Sequence, residues 1–142
     1  MQVRDFMTSS VVSVAPGESA ALAARLLSRH GVGSLPVCAP GGSLRGIVTD
    51  RDIVTRCIAA EEDPAQTPVR DIMTRNCTTV APGDDPKEAT RLMAARQVRR
   101  LPVVEGGKLV GMVSLGDLAA GHACDTETAK ALSEISEKEQ KT

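Results

Sequence analysis

Two short segments of this chain combine a hydroxyl group with a carboxylate at the spacing of one helical turn. Residues 46–52 read Gly-Ile-Val-Thr-Asp-Arg-Asp, and residues 111–117 read Gly-Met-Val-Ser-Leu-Gly-Asp. A hydroxyl at a helix N-terminus, beside free backbone N–H groups and the positive end of the helix dipole, can hold a phosphate. An Asp one turn further on offers two acceptor oxygens to ribose hydroxyls. We call these segments the first and second closing motifs, and their chemistry suits a nucleotide.

The same pattern has an interpretation that needs no ligand. A Thr or Ser followed three residues later by an Asp or Glu is the signature of a capping box, in which the two side chains hydrogen-bond the backbone at a helix start. The occurrence of the pattern twice does not separate the two interpretations, because duplication copies structure and function alike. Both therefore stay open at this point.

The closing motifs belong to a repeat that runs through most of the chain. Residues 3–8 (Val-Arg-Asp-Phe-Met-Thr) return as residues 69–74 (Val-Arg-Asp-Ile-Met-Thr), a displacement of 69 − 3 = 66 positions. The Val-Ala-Pro-Gly and Leu-Pro-Val segments return at the same displacement, and the closing motifs follow after the loss of one residue. A period of this kind indicates duplicated structural units.

Each copy has the same order of predicted elements. A short β-rich run ends at Pro-Gly, a helix capped by Ser19 or Asp85 follows, and two strands joined by a Gly-rich turn lead to a second helix that opens at the closing motif. We therefore predict a mixed α/β (α+β) fold of two βαββα units, with small sheets and helices packed at the interface of the copies about a pseudo-twofold axis. The predicted divisions are repeat 1 at residues 1–60, a linker at 61–68, repeat 2 at 69–120, and a partly helical or disordered tail at 121–142.

The composition excludes several classes of function. The formal net charge is −1, and Phe6 is the only aromatic residue. We therefore expect no nucleic-acid partner, because neither a basic arm nor stacking platforms can be built. No apolar run approaches the length of a membrane span, and the N-terminal residues contain no apolar signal segment. We expect a cytoplasmic protein without a membrane partner.

The cysteines and histidines give no signal for a metal site or a catalytic centre. The chain has four Cys without a Cys-x-x-Cys pair and only two His, both outside the repeated motifs. No nucleophile elbow, zinc-protease helix or phosphate-binding loop of an NTPase is present. We expect no catalytic residues, no metal and no required cofactor.

The paired closing motifs, together with the Met-Thr segments and the Leu-Pro-Val strands, resemble the CBS domain family, the regulatory repeats found in cystathionine β-synthase. The resemblance covers about residues 3–120. It implies a pair of CBS repeats that binds an adenosyl ligand (AMP, ADP, ATP or S-adenosylmethionine) in clefts between the repeats. It also implies a homodimer formed through the helices of both repeats. In that family the hydroxyl and the Asp of the closing motif contact phosphate and ribose, and these roles carry over to Thr49, Asp52, Ser114 and Asp117.

The family also places basic residues just before the second strand of a nucleotide-binding repeat. Arg99 and Arg100 match this position in the second copy, whereas Gly33 and Ser34 occupy it in the first. The two clefts are therefore expected to differ, with the one near Arg99 and Arg100 taking the more anionic ligand through charge-assisted hydrogen bonds. The alternative is that the arginines form a solvated surface pair.

The sequence is compatible with two functions. The first is a regulatory, ligand-sensing module of the stand-alone CBS-pair type, which modulates an unknown protein partner in trans or its own assembly. The second is a constitutive protein-interaction scaffold, a dimer with no bound nucleotide, in which both closing motifs serve only as helix caps.

Overall fold

A computed structural model describes residues 1–121 and 134–135 of the chain. The elements in chain order are a 3-10 turn (Val3–Asp5), α1 (Ala20–His30), β1 (Ser34–Cys38), β2 (Leu44–Thr49), α2 (Asp50–Asp52) continued by a π-helix (Ile53–Ile58), a second 3-10 turn (Val69–Asp71), α3 (Pro86–Arg96), β3 (Arg100–Glu105), β4 (Lys108–Ser114) and α4 (Leu115–Ala120). The mixed α/β composition with small sheets confirms the predicted fold class.

Each repeat contains one antiparallel hairpin, β1–β2 or β3–β4. Gly106 and Gly107 form the turn of the second hairpin with φ values of 60° and 78°. A two-residue turn with two positive φ angles matches the right-handed twist of the flanking strands, and glycine adopts it without strain. The Gly106–Gly107 turn therefore sets the register of the hairpin that carries the second closing motif.

The capping signals of the first helix in each repeat are confirmed. Ser19 Oγ accepts a hydrogen bond from the Leu22 N–H at 3.1 Å, and Asp85 Oδ1 accepts one from the Lys87 N–H at 2.9 Å. At the C-terminal end of α1, Gly31 adopts the left-handed conformation that commonly ends a helix. Gln97 takes the equivalent place after α3 with φ 57°. The second repeat therefore has a glutamine in the left-handed conformation where the first repeat has a glycine.

The β-rich runs before the first helices form less sheet than predicted. Each is reduced to one isolated parallel bridge, Val14 with Val37 and Val80 with Val103. The Pro-Gly pairs that follow at Pro16 and Pro82 limit the run, because proline provides no N–H to extend a ladder.

The chain divides into two compact units whose boundaries cross the repeats. The first-repeat unit comprises Val12–Cys77, and the second-repeat unit comprises Met1–Val11 together with Thr78–Thr142. We call residues 3–8 and 69–74 the leading turns of the two repeats. Each leading turn therefore belongs to the unit that is otherwise formed by the other repeat. Thr8 pairs with Met112 in one unit, and Thr74 pairs with Ile47 in the other.

Each unit has its own apolar core. In the first-repeat unit, the leading-turn residues Val69, Ile72 and Met73 pack with residues of α1, β1 and β2. In the second-repeat unit, Val3 packs with the corresponding elements, and Ile135 from the predicted tail is buried in the same cluster. The remainder of the tail prediction, at 122–133 and 136–142, lies outside the described residues.

The segment predicted as a linker is hydrogen-bonded to α1. The N–H groups of Ala20 and Ala21 donate to the carbonyls of Thr67 and Pro64 at 2.8 and 3.0 Å. Thr67 is buried, and its hydroxyl donates to the Asp63 carbonyl. Residues 63–67 thus cover the N-terminus of α1 instead of crossing open solvent.

A close approach in the first-repeat unit explains why a strand residue lacks a side chain. A Cβ built on Gly46 would lie 2.5 Å from the Thr74 carbonyl oxygen, inside the pairing between β2 and the leading turn. We expect Gly46→Ala to lower the free energy of unfolding by about 1–3 kcal/mol, the range for overpacking. Urea denaturation measures the change.

Gly33→Ala is the matched control for that substitution. A Cβ at Gly33 would meet Asp50 at an ordinary 3.6 Å, and we expect a change within about 0.5 kcal/mol. Equal losses in the two variants would contradict the close approach of Thr74 to β2.

Candidate functional site

The first closing motif forms a reciprocal capping box at the end of β2. The Thr49 hydroxyl accepts a hydrogen bond from the Asp52 N–H at 3.0 Å, and the Thr49 N–H donates to Asp52 Oδ2 at 3.0 Å. The two side chains therefore hold the start of α2 together without any ligand.

The second closing motif repeats this geometry at the end of β4. The Ser114 hydroxyl accepts from the Asp117 N–H at 3.0 Å, and the Ser114 N–H donates to Asp117 Oδ2 at 3.2 Å. Both motifs thus form the capping box that the sequence pattern predicts. The box leaves room for a ligand at the second motif, because a carboxylate accepts about four hydrogen bonds and Asp117 Oδ1 can still accept them.

The expectation of free backbone N–H groups at the first motif was wrong. The Asp50 N–H donates to the Gly33 carbonyl at 3.0 Å, and the Arg51 N–H donates to Asp50 Oδ1 at 2.8 Å. With the Asp52 N–H bonded to Thr49, all three donors at this helix start are occupied. The short loop before β1 and a local Asp side chain supply the partners that the sequence pattern did not reveal.

The second motif keeps one donor available. The Leu115 N–H donates to the Arg99 carbonyl at 2.8 Å, and the Asp117 N–H is bonded to Ser114. Gly116 lies between them, is exposed, and its N–H has no partner among the described residues. Gly116 is a residue that sequence reasoning missed, although comparing it with Arg51 at the same place in the first motif would have indicated the extra room.

The two acidic residues differ in availability. Asp52 has a side chain that is only 10% exposed, and its Oδ1 lies 3.9 Å from Arg56 Nε. Asp117 is half-buried and forms no ion pair within the described part of the chain. Asp117 is therefore the more accessible acceptor.

The hairpin register brings Arg100 beside the second motif. Arg100 and Ser114 are paired residues on β3 and β4. Directly opposed residues project their side chains to the same face of a sheet, with Cβ atoms about 5 Å apart. The structure thus gathers Arg100, Ser114 and Asp117 at one end of one hairpin, whereas Ser34 is the residue opposite Thr49 in the other unit.

Arg99 contributes first through its main chain. Its carbonyl accepts the hydrogen bond that joins the segment before β3 to the first residue of α4. The Arg99 side chain is exposed at the same end of the hairpin. Four of the six predicted site residues therefore lie in the second-repeat unit, and Thr49 and Asp52 lie in the first-repeat unit.

The charges around the two motifs have opposite balance. In the first, the five equivalent positions hold two carboxylates and one guanidinium (Gly33, Ser34, Asp50, Arg51, Asp52); in the second they hold two guanidiniums and one carboxylate (Arg99, Arg100, Leu115, Gly116, Asp117). These five positions therefore sum to −1 at the first motif and +1 at the second, before Arg56 beside Asp52 is counted. An anionic ligand group is favoured at the second motif.

The cysteines in the described residues have the character of core residues. Cys57 is buried, and Cys38 and Cys77 are half-buried. Burial raises the pKa of both the Cys38 and Cys77 thiols, which lowers their thiolate fraction at neutral pH. Between residues 1 and 121, and at 134–135, no group of three or more His, Cys, Asp or Glu side chains is arranged to hold a metal ion.

Within the same described ranges, no helix combines the length and the apolar character that are needed to cross a bilayer.

Two hairpin-and-helix units, each closed by the same hydroxyl–carboxylate box, define a tandem-repeat protein of the CBS class. The sequence model of the CBS domain matches residues 3–58 and 69–121. The chain belongs to the CBS domain family and carries two of its repeats.

Known members of the family resemble the chain over nearly its whole length. The CBS domain-containing protein YhcV of Bacillus subtilis is 41% identical over 134 residues, which cover 94% of each chain. The crystal structure of CBSX2 in complex with AMP superposes with a TM-score of 0.74 at 30% identity, covering 85% of this chain and 95% of that one. The CBS domain pair of protein MJ0100, in complex with 5′-methylthioadenosine and S-adenosyl-L-methionine, gives a TM-score of 0.75 at 25% identity, with coverages of 86% and 99%.

The capping role of Asp117 can be measured apart from any ligand. Asp117→Ala removes the acceptor of the Ser114 N–H, and we expect it to lower the free energy of unfolding by about 1 kcal/mol. Asp117→Asn keeps an acceptor oxygen at the same place and should lose clearly less. Urea denaturation of the ligand-free protein compares the two, and unchanged stability in both variants would contradict the reciprocal box.

Proposed function

We propose that this chain is a regulatory, ligand-sensing module without catalytic chemistry, which binds an adenosyl ligand and modulates a protein partner in trans or its own assembly. The observation that carries the proposal is the placement of Arg100 opposite Ser114, with Asp117 three residues further on. Relatives with the same fold bind AMP in one case, and 5′-methylthioadenosine with S-adenosyl-L-methionine in another.

The second closing motif has a separate group for each part of a nucleotide. The guanidinium of Arg100 and the hydroxyl of Ser114 would bind phosphate, since charge-assisted hydrogen bonds are stronger than neutral ones. The Gly116 N–H, at the positive end of α4, adds a donor. Asp117 Oδ1 would accept hydrogen bonds from the ribose hydroxyls, and Arg99 would raise the local positive potential.

The first closing motif would take a ligand without phosphate. Its backbone donors are occupied, and Ser34 instead of an arginine lies opposite Thr49, so a phosphate would find fewer donors there. Asp52 and Thr49 could still bind an adenosyl group, and the sulfonium of S-adenosylmethionine is compatible with a negative surrounding. We therefore assign AMP, ADP or ATP to the second motif and an uncharged or cationic adenosyl ligand to the first.

The scaffold function remains the second candidate, and a specific observation favours it. Both closing motifs are complete capping boxes, in which the hydroxyl and the carboxylate are already hydrogen-bonded to the backbone. A thermal-shift panel separates the candidates: a ligand that binds the folded state raises Tm by mass action. An unchanged Tm across AMP, ADP, ATP and S-adenosylmethionine at millimolar concentration would favour the scaffold.

Assembly as a homodimer is part of the proposal. Val54 and Ile58 are four residues apart on the π-helix that continues α2, and they are 58% and 53% exposed. Large apolar side chains at this exposure form a surface that a second copy could cover. We propose that helices of this type join two chains in the cytoplasm, and that ligand binding shifts the dimer geometry.

The phosphate assignment makes Arg100 a test of ligand class. We expect Arg100→Ala to weaken ATP binding about tenfold while changing adenosine binding by less than about twofold, because only ATP loses a charge-assisted contact. Isothermal titration calorimetry measures both. Lys108→Ala, at the other end of the same hairpin, removes the same charge and should leave ATP affinity unchanged; an equal loss in both variants would assign the effect to net charge.

The dimer proposal is tested by charge insertion. We expect Ile58→Asp to convert the dimer to a monomer, because an uncompensated carboxylate would be buried at the interface. Size-exclusion chromatography with light scattering gives the mass. Arg45→Asp, at an exposed position on β2, should remain dimeric, and a monomeric wild type would remove the proposal.

A further inference from the structure

Arg56 links the first closing motif to a distant part of the chain. Its Nε lies 3.9 Å from Asp52 Oδ1, and its Nη1 donates to the Ile72 and Met73 carbonyls at 3.3 and 3.2 Å. All four residues belong to the first-repeat unit. One guanidinium thus lies beside the carboxylate of the closing motif and, with a different nitrogen, binds the main chain of the leading turn at 69–74.

The leading turn is a firm anchor for this guanidinium. Thr74 and Ile47 exchange two main-chain hydrogen bonds at 2.8 and 2.9 Å, so the segment is paired with β2. Ile72 and Met73 are only 2% and 5% exposed in the core of the unit. The two hydrogen bonds to their carbonyls offset the rotamer entropy that a long side chain loses when it is fixed. Arg56 is therefore held in place although its side chain is half exposed.

Arg56 orients Asp52 without occupying it. The Thr49 N–H binds Asp52 Oδ2 at 3.0 Å, and the guanidinium faces the other oxygen, Oδ1. A separation of 3.9 Å allows charge attraction but is too long for a hydrogen bond. The attraction restricts rotation of the carboxylate, and the lone pairs of Oδ1 can still accept hydrogen bonds from a ligand.

The pairing is selective among the acidic residues nearby. Asp71 and Glu62 lie close to Arg56, since all three line one cavity of the first-repeat unit. Within the ranges that the structure describes, however, Arg56 forms an ion pair with Asp52 and with no other carboxylate. The guanidinium is thus directed at the one acid that belongs to the closing motif.

The second closing motif has no counterpart of this side chain. At the displacement that relates Asp52 to Asp117 (117 − 52 = 65), position 56 corresponds to Gly121. A Cβ at Gly121 would overlap the ring of Phe6, which is the leading-turn residue that matches Ile72. The second-repeat unit therefore joins its leading turn to its last helix by an apolar contact. Duplication alone does not account for Arg56.

We propose that Arg56 is a positioning residue for the first closing motif. It orients Asp52 toward the ribose hydroxyls of the adenosyl ligand, and it takes its own position from the carbonyls of the leading turn. This inference rests on the proposed function, because it requires an adenosyl ligand at the first motif. Its consequence concerns the ribose: Arg56 sets how strongly the first motif distinguishes a ligand with ribose hydroxyls from one without them.

The test compares adenosine with 2′,3′-dideoxyadenosine, which lacks both ribose hydroxyls, in NMR titrations of the full chain labelled with ¹⁵N. Amides of residues 46–56 report the first motif, and those of residues 111–117 report the second. We expect the wild-type first motif to bind adenosine about tenfold more tightly, because a carboxylate accepts strong hydrogen bonds. Arg56→Ala should reduce this ratio to about twofold at the first motif and leave it unchanged at the second.

A matched pair of substitutions separates the charge from the bulk of the side chain. Arg56→Lys keeps a positive charge near Asp52 and should keep most of the ratio, about fivefold. Arg56→Met keeps an unbranched side chain without the charge and should behave as Arg56→Ala does. Arg45→Ala removes a guanidinium from an exposed position on β2 of the same unit and should leave the ratio unchanged.

Two results would overturn this inference alone. The first is a ratio that stays near tenfold in Arg56→Ala while both affinities fall, since Arg56 would then only support the fold. The second is an equal ratio in the Lys and Met variants. A wild type whose amides at 46–56 do not respond to adenosine would instead remove the ligand from the first motif, and with it both this inference and that part of the proposed function.

Discussion

One main-chain hydrogen bond in each repeat joins the segment before the hairpin to the helix that follows it. The N–H of Asp50 donates to the Gly33 carbonyl, and that of Leu115 donates to the Arg99 carbonyl. This bond fixes the angle at which the last strand passes into the second helix. It lies next to the capping box and to the residue pair at the end of the hairpin, so it holds the strand end and the helix start together.

Local signals in the sequence were sufficient to predict the helices and the hairpins, because caps and turns depend on neighbouring residues. Ser19, Asp85 and the Gly106–Gly107 turn specify their helices and hairpin through contacts within a few positions. The pairing of Thr74 with Ile47 could not be predicted in this way. The need for glycine at position 46 becomes visible only when a carbonyl 28 residues later in the chain is known to lie against it.

The candidate site likewise has features that the sequence predicts and features that depend on contacts made by folding. The repeat and the family resemblance were enough to select the six residues, and the hairpin register explains why Arg100 accompanies Ser114. The occupied N–H groups of the first motif depend on Gly33 and on the rotamer of Asp50, which spacing does not encode. The contact of Arg56 with the Ile72 and Met73 carbonyls could not be predicted for a similar reason, since folding brings together residues that are 16 and 17 positions apart.

The exchange of leading turns has a consequence for how such a protein could have evolved. A duplicated gene usually yields two copies that can be separated again by cutting at the join. Here residues 1–11 complete the core of the second half, and residues 69–77 complete the core of the first. A cut near residue 65 would leave each fragment with a surplus segment and a missing one. A single repeat of this kind would therefore need a second copy to supply the leading turn that completes its core.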